Sequence, residues 1–157
     1  MPGTTTLTTA LKAAVVLLVC LVVADIVGVI AGTIFDIAPV RGGGDGVAYA
    51  IWFVLGIFCG LIAYGTAGAW ASGGDENWTE GEGARRTGRV ILVTGAALLA
   101  ALTLFFHRIY WSRGVAGEYY VPDSAPHSIL FFLSVLAGMV LAGMMLTPSG
   151  KDGAGGA

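Results

Sequence analysis

No charged side chain interrupts residues 47–71. Three further stretches are nearly as apolar. Residues 13–35 are broken only by Asp25 and Thr33, residues 90–106 lie between Arg89 and the pair His107 and Arg108, and residues 128–147 carry no charge. A hydrocarbon layer of about 30 Å is crossed by roughly 20 helical residues, and each run is near that length. Within hydrocarbon every backbone N–H and C=O must find a partner inside its own segment, so runs of this kind form helices. The pattern predicts an all-α membrane protein with four transmembrane helices in an up-down-up-down bundle. The helices are expected near residues 11–35, 47–71, 88–110 and 127–147, in one domain spanning 1–157 with a flexible glycine-rich tail at 148–157.

Composition agrees. The chain is 56% hydrophobic and 11% charged, against about 25% charged in an ordinary soluble domain. A net charge of -2 gives no basic field for nucleic acid, so the lipid bilayer is the first partner expected. Abundant Ala and Gly, with Arg outnumbering Lys, suggest a bacterial chain and therefore the inner membrane. The first run reads as a retained span rather than a secretory signal. It has no positive charge before Lys12, it is too long, and Asp25 breaks its middle.

The connections carry turn chemistry. Asp36, Pro39 and the glycine-rich stretch 41–46 form the first, residues 72–89 the second, and residues 107–126, closed by Pro122 and Pro126, the third. Lys12, Arg85, Arg86, Arg89 and Lys151 fall on one side of the membrane, and Arg41, Arg108 and Arg113 on the other. Positive charge is retained inside, so both termini and the second connection are expected in the cytoplasm. Arg85, Arg86 and Arg89 then form a juxtamembrane anchor facing lipid headgroups.

Helices in lipid associate where small residues let backbones approach. Such stripes are Ala24, Gly28 and Gly32; Gly56 and Gly60; Gly95 to Ala97 with Ala100 and Ala101; and Ser134, Gly138 and Ala142. Aromatic and large side chains crowd the third and fourth helices, among them Phe105, Phe131, Leu133 and Met139, as lipid contacts or a docking face. Cys20 and Cys59 read as small packing residues, since a disulfide would require them to meet at one depth.

Asp25 is the principal functional candidate. A carboxylate in mid-membrane costs about 2.5–3.5 kcal/mol on insertion scales and marks a functional site by default. Its spacing to Gly28 and Gly32 predicts that it faces the bundle, where Thr103 and Ser134 fall at its depth as hydrogen-bonding partners. Three roles follow: a neutral, hydrogen-bonded helix glue, a proton- or cation-coupling site, or contact with a basic group on another subunit. His107 and His127 flank the third connection and are the residues that would hold a metal or a b-type haem. No third ligand has diagnostic spacing, and no cofactor is expected. Trp111, Tyr119 and Tyr120 make the same connection a candidate partner-binding loop, ordered against the outer surface of the membrane.

No nucleophile elbow, HExxH, phosphate loop or dinucleotide fingerprint occurs. The expectation is a non-catalytic accessory or assembly subunit of a larger bacterial inner-membrane complex, bound to other membrane subunits or to itself. The alternative is a small oligomeric transporter that uses Asp25 for coupling.

Overall fold

The computed structural model describes residues 2–34, 46–74, 79–114 and 124–146. Almost all of them are helical: α1 (Pro2–Ile34), α2 (Gly46–Ala71), α3 (Gly81–Gly114) and α4 (Ser124–Leu146). Each helix is long and apolar enough to cross a membrane, and among the described residues there is no strand.

Two helices overrun the limits set by hydropathy by the widest margins, and α4 begins three residues early, at Ser124. α1 begins at Pro2 rather than near residue 11, and α3 runs from Gly81 to Gly114 rather than from 88 to 110. The apolar run marks where hydrocarbon ends, whereas the backbone can continue its hydrogen-bond ladder into the headgroup zone. In α1 the Thr9 hydroxyl donates to the Thr5 carbonyl at 2.9 Å, so a polar first segment is absorbed into the helix. In α3 the acidic Glu82 lies in the first turn, where the helix dipole favours negative charge.

Contacts between named residues fix direction and register. Lys12 on α1 donates to the Trp70 carbonyl on α2 at 2.8 Å, and Gly28 lies beneath the Trp52 ring, so α1 and α2 are antiparallel. Arg86 on α3 donates to the Thr6 hydroxyl at 3.2 Å, and Leu17 lies near Gly95, so α1 and α3 run parallel. Gly95 packs on Met139 and Gly143 faces Leu92, which makes α3 and α4 antiparallel. The up-down-up-down order therefore holds. Around the bundle the helices follow the order α1, α2, α4, α3, and among the described residues α1 and α4 make no close backbone approach.

The most extensive contact is between the parallel pair α2 and α4. It is built on the small residues expected for it. A Cβ on Gly56 would strike the Ser134 side chain, one on Gly60 would meet the Val135 carbonyl and the Met139 backbone nitrogen, and one on Gly138 would meet the Ile57 carbonyl. Backbones thus approach more closely than any side chain would allow, which is the main source of helix attraction in lipid. On α1, Ala24 and Gly28 are buried as expected. The α3 stripe is corrected: Gly95 is buried, but Ala97, Ala100 and Ala101 are exposed.

Leu17, Tyr64, Ile91, Val135 and Met139 fill the centre. The aromatic crowding of α3 and α4 divides between inside and outside. Phe131 is buried edge-on against Trp52 with ring centroids 5.3 Å apart, whereas Phe105 and Leu133 point outward. The α1–α2 register brings Cys20 and Cys59 to about one level, where both are free thiols.

Candidate functional site

The interior of the bundle is chemically quiet. Among the described residues every buried side-chain nitrogen or oxygen has a hydrogen-bond partner. The buried Ser134 hydroxyl donates to the Phe131 carbonyl at 2.7 Å, and the Thr103 hydroxyl donates to the Leu99 carbonyl at 2.8 Å. Both hydroxyls therefore bond the preceding turn of their own helix.

Asp25 is not part of that interior. The buried face of α1 runs through Ala13, Leu17, Leu21 and Ala24. Asp25 is the next residue after Ala24, and a step of about 100° along a helix of 3.6 residues per turn carries it onto the exposed face. The expectation that Asp25 faces the bundle beside Thr103 and Ser134 is therefore corrected. Extending the observed registers places Asp25 near the levels of Gly56, Thr103 and Ser134. Ser134 lies on α4, which α1 does not approach. Depth is shared and direction is not.

The surroundings of the carboxyl are aliphatic. Val22, Val23, Ile26 and Val27 are exposed on the turns around it. The end of α1 at Ile34 is nine residues further on, about 14 Å along the axis. The site is a short-stemmed carboxyl on the outward, apolar face of α1, with no hydrogen bond to any described residue.

The described basic side chains cluster at the opposite end. Arg85, Arg86 and Arg89 lie on the first turns of α3 and are exposed. Arg86 ties α3 to α1 through Thr6. Lys12 joins this end by a contact that the apolar pattern does not announce: besides donating to the Trp70 carbonyl, its ammonium sits 5.5 Å from the Trp70 ring centroid. A cation there complements the C-terminal end of the α2 dipole. The Gly73-Gly74 pair after α2, together with Lys12 in the flank of the first run, is the signal from which this corner could have been read.

The remaining candidates fall largely outside the described residues. His107 and Trp111 belong to the α3 backbone and His127 to α4, but their side chains lie outside what is described, as do Tyr119 and Tyr120 altogether. The helical extent of α3 to Gly114 nevertheless shortens the third connection and puts Trp111 on a helix rather than in a loop. Among the described residues no three His, Cys, Asp or Glu side chains gather as metal ligands would. No family model, curated protein or solved structure matches the chain.

Proposed function

We propose that this chain is a non-catalytic accessory or assembly subunit of a larger bacterial inner-membrane complex. The observation that carries the reading is the outward position of Asp25. A carboxyl held against hydrocarbon costs up to about 2.5–3.5 kcal/mol, the value at mid-span, and no described residue bonds it. A group from outside the chain would offset that cost. Purification in mild detergent followed by mass measurement is the test. The expected result is a particle heavier than the 16.1 kDa chain that contains other membrane proteins. A strictly monomeric particle with no companion would overturn the reading.

A second reading draws on the same residue. Copies associating through α1 would place Asp25 between them, where it could couple proton or cation movement to transport. The reconstituted chain would then show pH-dependent transport that Asp25→Asn abolishes without unfolding the protein. Absence of any wild-type transport would exclude it.

A further inference from the structure

The outward surface of α1 has a pattern beyond general apolarity. Leu11, Val15, Leu18, Val22 and Asp25 follow one another at alternating steps of four and three residues, and all five are exposed. That spacing keeps a single stripe facing one neighbour when two helices wrap around each other with a left-handed crossing. Asp25 occupies the place in the stripe that Leu18 and Leu11 occupy seven and fourteen residues earlier. A polar group at one such position fixes register and partner choice, at a cost in stability when the partner lacks its complement.

The described charges point to what that complement is. Lys12 lies thirteen residues from Asp25, about 20 Å along α1, and is held by Trp70. Arg85, Arg86 and Arg89 sit at that same end of the bundle. Among the described residues no cation lies at the depth of Asp25. A second copy docked about a two-fold axis would bring a like carboxyl, which repels when ionised. A Lys or Arg would neutralise it and supply several hydrogen-bond donors.

We propose that the α1 stripe docks one transmembrane helix of a different protein, and that this helix carries a Lys or Arg facing Asp25 at its own mid-span. The inference rests on the assembly reading above and names the chemistry of the partner. The stripe supplies the fit, and the ion pair supplies the depth register and the discrimination against ordinary apolar helices.

The test uses the full chain in phospholipid vesicles, with a fluorescent donor at its N-terminus and acceptor-labelled synthetic helices of Leu and Ala. One helix carries a single central Lys, a second has Leu at that place, and the chain itself, acceptor-labelled, serves as a third probe. The wild-type chain is expected to bind the Lys helix about tenfold more tightly than the Leu helix. Asp25→Glu should keep that preference, and Asp25→Asn and Asp25→Leu should remove it. Circular dichroism and detergent unfolding establish that each variant is folded. Equal binding of the two helices, a preference that survives Asp25→Leu, or Asp25-dependent self-association stronger than binding of the Lys helix would each overturn the inference. A native complex that stays intact with Asp25→Leu would also overturn it while leaving the assembly reading in place. A chain found alone in mild detergent would instead remove the assembly reading.

Discussion

Ala24 and Asp25 are neighbours in sequence and stand in different surroundings, one packed in the bundle and the other facing outward. This has a direct consequence for stability. If Asp25 glued helices together within the chain, its removal would unfold the bundle. Facing outward without a described partner, it should be dispensable for the isolated fold. Asp25→Leu is therefore expected to leave detergent unfolding of the isolated chain unchanged or to raise its midpoint, and a loss of more than about 1 kcal/mol would restore the glue role. The glycines make the opposite case. Gly60→Ala and Gly138→Ala force a methyl into the backbone of a facing helix, in which no flexible side-chain end can yield. Each is expected to cost about 1–3 kcal/mol, the range for overpacking. Gly65 faces open space, so Gly65→Ala should be neutral or gain up to about 1 kcal/mol from helix propensity. Equal effects at Gly60 and Gly65 in the same unfolding assay would contradict the close α2–α4 approach.

At the level of elements, the C-terminus of α2 is closed by backbone chemistry and by a side chain from another helix. Gly73 and Gly74 have φ of 73° and 86°, a region that costs glycine little. The Gly74 amide donates to the Ala69 carbonyl at 3.0 Å and the Gly73 amide to Trp70 at 3.3 Å, the two bonds of a Schellman cap. Lys12 adds a charge to the same carbonyl end. Lys12→Met should cost about 0.3–1 kcal/mol and speed amide hydrogen exchange at Gly73 and Gly74. Unchanged exchange would mean that the ammonium contributes nothing to the cap. The same elements show what the chain's sequence made legible. Helix number, crossing order and depth follow from run length and connection length, because hydrocarbon thickness is a fixed ruler. The Gly56, Gly60 and Gly138 seam was legible because small residues at four-residue spacing have one efficient use in lipid. Direction around α1 was not. Both faces of that helix are apolar, so Val22 and Leu21 look alike in sequence although one is exposed and the other buried. In a soluble protein polarity would have told them apart. The α3 alanines misled for the same reason, since Ala suits lipid and helix contact equally.

For the whole molecule, the bundle places α1 and α4 at opposite corners and joins them through α2 and α3. The cations of Lys12 and the α3 N-terminal turns gather at one end, and Asp25 lies toward the other. If the positively charged end is cytoplasmic, a cysteine replacing Ser72 in a background without Cys20 and Cys59 should resist an impermeant thiol reagent in intact cells, whereas one replacing Ser112 should react. The reverse labelling would invert the orientation. The central claim, that α1 is the face through which the chain meets another protein, is open to one direct measurement. A photo-crosslinking residue is placed in turn at Val22 on α1, Ile62 on α2, Val93 on α3 and Leu133 on α4, all exposed positions, and native membranes are irradiated. Val22 is expected to yield a discrete adduct with a different membrane protein that disappears when Asp25→Leu is added, while the other three positions yield lipid adducts only. An adduct from α2, α3 or α4 with none from Val22, or a Val22 adduct indifferent to Asp25, would contradict the claim.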